Sequence, residues 1–184
     1  MSRGKKDEQM PRSLNATAAS LLGFLHEGPM TGWDLVAVAQ QRIGDFWSLT
    51  QSQVYRELAS MGDEGLVAAG ERGSRDKRPY TITSAGRSAF RDWVEEIPGD
   101  ETIRFPLLLT LAFGRHLPSG RLATMLEQHR LIHSERLRAY RIQLEEVQAL
   151  GDPYALATLD FGITYEEAVL DWFDRLPTDL TAGD

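Results

Sequence analysis

No cysteine occurs anywhere in the 184 residues. Disulfides, thiolate metal sites and thiol nucleophiles are therefore excluded. Long apolar runs are missing as well. The longest, Phe105 to Phe113, is interrupted by Thr110 and falls well short of the roughly 18 residues a membrane span needs. Nothing at the N-terminus has the layout of a secretory signal. The expectation is a soluble cytoplasmic protein with no membrane association. Histidine is scarce, with four residues, His26, His116, His129 and His133. His129 and His133 are spaced i, i+4, which can chelate a metal on one helix face. No glutamate lies between them in the HExxH manner, and Glu127 and Glu135 are only nearby, so the pair is read as polar positions on a helical seam. No metal and no cofactor is expected. Gly70-Glu71-Arg72-Gly73 lacks the Lys-Ser/Thr and the helix that would make it a phosphate loop. No base–nucleophile pair is visible, so the chain is not expected to be an enzyme.

Net positive charge is lacking too, with −7 overall. The distribution qualifies that value. Residues 1–97 carry 12 Lys+Arg against 13 Asp+Glu, whereas residues 98–184 carry 8 against 14. Most of the acidity thus lies in the second half. A nucleic-acid reader needs a basic patch on one face, and whole-chain charge does not report such a patch. The adjacent pairs Glu95-Glu96, Glu145-Glu146 and Glu166-Glu167 diverge on a helix and are read as solvated charge.

What is present is organised around Thr50 to Thr83. Thr50 is placed to cap a helix, because its hydroxyl can accept from a free N–H of the first turn. Val54, Leu58 and Met61 then give that helix one apolar face. Gln51, Ser52, Gln53 and Arg56 are left for the opposite face, and Tyr55 follows the apolar Val54. Gly65 suits the left-handed residue that ends a helix. Leu66 to Ala69 has strand composition. Gly70 to Lys77 holds two glycines and five charges and cannot be packed core. Pro79 to Ile82 reads as a returning strand. A helix followed by a hairpin tipped with Arg72, Arg75, Lys77 and Arg78 outlines a winged helix-turn-helix, with the helix in a major groove and the wing on the backbone. The same residues also fit a solvated helix face and a soluble turn.

The flanking segments favour the first alternative. Residues 1–13 form a polar arm with Arg3, Lys5, Lys6 and Arg12, expected to be disordered. Leu14 to His26 has helical spacing and stops at Gly28-Pro29. Thr31 caps a second helix, with Asp34 as its capping-box partner. Gly44-Asp45 ends it, and Phe46 to Leu49 turns into the Thr50 helix. After the hairpin, Phe90, Trp93, Val94 and Ile97 mark a further helix, broken at Pro98-Gly99-Asp100. The expected organisation is a DNA-binding domain over 14–97 and a helical dimerisation domain over 98–184, mainly α. In the second part, Arg121 to Leu150 is one long helix. Leu122, Leu126, His129, His133, Leu137, Tyr140, Leu144 and Val147 form a heptad-like seam on it. A partner chain is the simplest cover for a seam of that length. Tyr154 to Leu176 forms a last helix, with its middle in question at Gly162. Trp33, Trp47, Trp93 and Phe105 could line an aromatic effector pocket, ordinary core packing being the alternative.

These residues resemble the PadR family of bacterial transcriptional regulators. The resemblance rests on Gly23, Gly28-Pro29, Gly32, Asp34-Leu35, Phe46-Trp47, Tyr55, Leu58, Gly65-Leu66-Val67, Tyr80, Thr83 and Gly86, over about residues 16–97. The second half is similar in layout to the longer subclass, whose C-terminal helical domain ends in a Trp-containing helix, here around Trp172. Trp33 stands where the family usually has Tyr, Arg56 where Pro is common and Met61 where Leu is common. The resemblance implies a homodimeric repressor that binds double-stranded DNA at an inverted-repeat operator. It also implies, for many relatives, a small aromatic or hydrophobic effector. A different function class remains open at this point, an adaptor that uses a winged helix to dock partner proteins rather than DNA.

Overall fold

Three side chains that accept hydrogen bonds from free backbone N–H groups set the starts of the first helices. Asn15 Oδ1 accepts from Ala18 N at 2.9 Å and opens α1 (Ala16–Phe24), which a 3-10 turn, Leu25–Glu27, extends. Thr31 and Asp34 close a capping box at α2 (Gly32–Arg42). Thr50 and Gln53 close another at α3 (Gln51–Asp63). Each cap contributes about 1 kcal/mol. The computed structural model describes residues 14–44, 46–71, 78–100 and 103–181, so the 1–13 arm lies outside the described residues. The chain divides into two compact units, Met1–Asp100 and Glu101–Asp184.

In the first unit, α1, α2 and α3 enclose a core of Ala18, Leu21, Leu22, Leu25, Leu35, Ala39, Val54, Leu58 and Met61. Strands β2 (Val67–Ala69) and β3 (Pro79–Ile82) form the antiparallel hairpin. A two-residue strand, β1 (Met30–Thr31), pairs with the other edge of β3, an element absent from the sequence expectation. It is too short for any alternation to be visible. The sheet order is β1-β3-β2. Thr83 ties the hairpin to α4 (Ser84–Glu95). Its hydroxyl donates toward the Gly65 and Leu66 carbonyls at 2.8 and 3.0 Å and accepts from Gly86 N at 3.0 Å. A Cβ on Gly86 would stand 2.2 Å from the Leu66 carbonyl oxygen, so this close approach admits only glycine.

The second unit comprises α5 (Pro106–Ala112), α6 (Arg121–Leu150), α7 (Pro153–Asp174) and the short α8 (Thr178–Thr181). All eight seam residues of α6 are buried or half-buried. At Leu126, His133 and Tyr140 the cover is α7 of the same chain, where a partner chain is the simplest expectation from sequence. Leu126 packs with Phe173 near one end, together with Leu107 of α5. Further along, His133 meets Glu166, and the Tyr140 ring lies over Gly162. α7 is therefore continuous through Gly162. The missing side chain there admits the tyrosine ring, since a Cβ would come within 2.9 Å of it.

Glu166 corrects a second expectation. It is 1% exposed rather than solvated. One carboxylate oxygen accepts from His133 Nδ1 at 2.5 Å and the other from Arg136 at 3.0 Å. The imidazole is flanked by Phe105, nearly parallel at 5.9 Å, and by Phe173 at 6.0 Å. Glu167, one residue on, pairs with Arg141 at the surface. The tyrosine before the cluster, Tyr165, has its pKa raised by burial, then by the Glu166 charge, against a lowering by Arg136.

Candidate nucleic-acid interface

The helix preceded by Thr50 has two faces of opposite character. Val54, Leu58 and Met61 are fully buried, while Gln51, Ser52, Tyr55 and Arg56 are exposed. The first two turns of α3 therefore present a polar strip to solvent. Residues near the start of such a helix are the ones that reach base edges when it enters a major groove.

Gln53 differs from its neighbours. Its Oε1 accepts from both the backbone N–H and the hydroxyl of Thr50, each at 2.9 Å. Bidentate pairing with adenine needs both the oxygen and the amide of a glutamine. Here the oxygen is already committed to the capping box. Ser52 is also drawn to the cap, with its hydroxyl 3.2 Å from that of Thr50. Tyr55 is 43% exposed. Its ring lies against Gly32 in the first turn of α2, where an added Cβ would come within 2.7 Å of it. The sequence thus needs a glycine at 32 to seat the tyrosine on the adjacent helix.

At the wing, the Gly70 N–H donates to the Pro79 carbonyl at 2.8 Å and Arg78 Nε donates to the Gly70 carbonyl at 3.1 Å. Arg78 therefore braces the base of the hairpin while remaining exposed. Arg72, Arg75 and Lys77 lie outside the described residues.

The four aromatics proposed for a pocket are distributed as follows. Trp33 on α2 is 57% exposed, and Trp47, in the turn before α3, is also exposed. Trp93 is half-buried and stacks on Phe90 of α4. Phe105 belongs to the second unit, against His133. In the first unit an open groove of about 460 Å³ is lined by His26, Arg87, Phe90, Arg91, Val94 and Glu95. Among the described residues no group of three or more His, Asp or Glu side chains is arranged to hold a metal. His133 of the i, i+4 pair is engaged by Glu166. Among the same residues no helix is long and apolar enough to cross a membrane.

Two residues of consequence escaped the sequence reading. Glu57, on α3, is 9% exposed and accepts from Asn15 Nδ2 at 3.1 Å. Its position three after Val54 and four before Met61 is the available signal, since that spacing puts it on the buried face. Glu166 stands seven residues from both Leu159 and Phe173, and the same logic applies.

Comparison with known proteins places this geometry in context. Residues 21–92 match the model of the transcriptional regulator PadR-like family, and residues 103–181 match that of the virulence activator alpha C-terminal region. The chain is 26% identical over 147 residues to the negative transcriptional regulator PadR of Bacillus subtilis, covering 78% of this chain and 81% of that protein. It is 27% identical over 176 residues to a probable transcriptional regulator of Mycobacterium tuberculosis, covering 85% and 93%. The crystal structure of B. subtilis PadR with operator DNA superposes with a TM-score of 0.73 at 23% identity, covering 87% of this chain and 96% of that one. The same protein's complex with p-coumaric acid gives 0.60 at 24%, covering 88% and 100%. These superpositions establish a shared fold, a winged helix with a C-terminal helical region.

Proposed function

The chain belongs to the PadR-like family of transcriptional regulators, and from that premise we propose that it is a cytoplasmic homodimeric repressor of an inverted-repeat operator. The observation that carries this reading is the exposed polar strip at the start of α3 beside a hairpin. Gln51 and Arg56 are the base readers, since Arg pairs bidentately with guanine and Gln with adenine. Ser52 and Gln53 serve first to set the cap, and Tyr55 presents its hydroxyl to a phosphate. Arg72, Arg75, Lys77 and Arg78 neutralise backbone charge. The organisation is a reading domain over 14–97 followed by a dimerisation domain over 98–184.

The dimer is supported by a second apolar stripe on α7. Tyr154, Phe161 and Tyr165 recur at helical spacing on its outer side and are exposed. Exposed aromatic stripes of this kind mark interaction surfaces, and a second copy of the chain is the partner proposed. Repression with release by a small aromatic effector is consistent with what is printed of the B. subtilis relative, a negative regulator crystallised both with operator DNA and with p-coumaric acid. Within the first unit, Trp93 beside Phe90 is the aromatic proposed to meet such an effector.

Selection of bound duplexes from random DNA tests the reading. An enriched inverted repeat is expected, with affinity falling steeply as salt rises. Arg78→Ala should weaken binding to all sequences about equally and lower the salt slope by about one. Recovery of no enriched sequence, with no salt-dependent binding, would overturn it.

A further inference from the structure

The reading helix is held against α1 mostly by side chains with no directional preference. Val54, Leu58 and Met61 share one core with Ala18, Leu21 and Leu22, and the hydrophobic term that holds them carries no direction of its own. A directional contact joins the N-cap of α1 to α3. Asn15 uses both ends of its amide. The oxygen accepts from Ala18 N at 2.9 Å and caps α1, while Nδ2 donates to Glu57 Oε2 at 3.1 Å. The Glu57 carboxylate also stands beside the N-terminal end of α1, where the helix dipole favours negative charge. Glu57 is buried and Asn15 half-buried. The cleft around them is small, with only about 10 Å³ between Leu14, Asn15, Ala18, Glu57, Ser60, Met61 and Glu64.

A buried carboxylate with one protein hydrogen bond is a poor stabiliser. An apolar residue of similar size at such a site is often neutral or better for stability. Its value lies elsewhere. Glu57 follows directly on Tyr55 and Arg56, so the bond that fixes its azimuth also fixes theirs. We propose that the Asn15–Glu57 clasp is a positioning device for operator discrimination, setting the rotation of α3 so that Gln51 and Arg56 meet their bases together. Neither residue is proposed to touch DNA itself. The proposal rests on the DNA-binding reading given above and adds two residues to it.

A swap of donor and acceptor tests it in the full-length chain. Asn15→Asp keeps the cap, because aspartate caps as well as asparagine, but sets a carboxylate against Glu57. Glu57→Gln keeps an acceptor for Asn15. The double variant Asn15→Asp with Glu57→Gln restores the bond with its polarity reversed. Affinities are compared for the selected operator, its single-base variants and random duplex. Asn15→Asp should lose about tenfold in discrimination, the size of one base contact, while random-duplex affinity stays within about twofold. Glu57→Gln should stay near wild type, and the double variant should regain most of the loss, a coupling that independent sites do not show. Unchanged discrimination in Asn15→Asp, or no recovery in the double variant, overturns the proposal. A wild-type chain with no sequence preference would instead sink the DNA reading. Hydrogen exchange of the α3 backbone amides then decides the clasp alone: faster in Asn15→Asp and restored in the double variant supports it, and unchanged rates overturn it.

Discussion

The two units solve the same problem, burying helices, in opposite ways. The first encloses a wide apolar core and keeps most of its polar work at helix ends, in the caps at Asn15, Thr31, Thr50 and Thr83. The second has few fully buried apolar residues, with Leu107, Leu126 and Phe173 in one cluster, and runs a polar cluster through the middle of its helix pair at His133, Arg136 and Glu166. The first unit leaves a polar strip exposed at the start of α3, with Trp33 and Trp47 exposed elsewhere on it, whereas the second leaves an aromatic stripe exposed on α7. An exposed polar strip suits a polar ligand, and an exposed aromatic stripe suits another protein surface. On the proposed reading, one unit presents side chains to DNA and the other associates with a second copy.

The contrast breaks most severely at Glu166. Glu166→Ala removes the acceptor that His133 and Arg136 share, and a buried hydrogen-bonding group left without its partner costs about 1–3 kcal/mol. Hydrogen exchange resolved by peptide should show α6 and α7 losing protection while α1 to α3 keep theirs. Equal loss in both units would mean that they unfold together.

Phe161→Glu places a charge at the centre of the outer stripe of α7. Sedimentation should show the dimer weakened by about 2 kcal/mol or more, the cost typical of a central aromatic anchor, with the monomer's melting temperature little changed. An undisturbed dimer would move the interface elsewhere. Gly86→Ala acts on the first unit. The added methyl meets the Leu66 carbonyl, and such overpacking typically costs about 1–3 kcal/mol, measurable by urea unfolding.

A smaller effect sharpens the comparison at a helix end. Gln53→Ala opens the capping box of α3 and should cost about 1 kcal/mol of stability. Its effect on base preference should be weaker than that of Arg56→Ala, because the Gln53 oxygen already serves Thr50. A loss of adenine preference at one position without any loss of stability would show that Gln53 leaves its cap to read a base.

Much of the first unit was legible because its signals are local. A cap at Thr50 or Thr31 needs only residues three apart, and the apolar face of α3 repeats within a few turns. The seam on α6 was legible for the same reason, down to the covered positions of His129 and Tyr140. What covered it was not, since nothing local says whether a helix folds back on its own chain or meets another. Glu57 is passed over and Glu166 is read as solvated because carboxylates are expected in water. Their spacing put them on buried stripes, but their partners, Asn15 and His133 with Arg136, lie 42, 33 and 30 residues away. The strand at Met30–Thr31 exists only because β3 offers it an edge.

The central claim is that the exposed strip of α3 reads base sequence. The most direct test compares wild type and Arg56→Ala across every single-base variant of the selected operator. Wild type should discriminate at each read position, and Arg56→Ala should lose about 1–3 kcal/mol of preference at one position in each half-site, symmetrically, with the other positions unchanged. A uniform loss across all variants would contradict the claim, placing Arg56 on a phosphate and leaving specificity to the shape of the DNA.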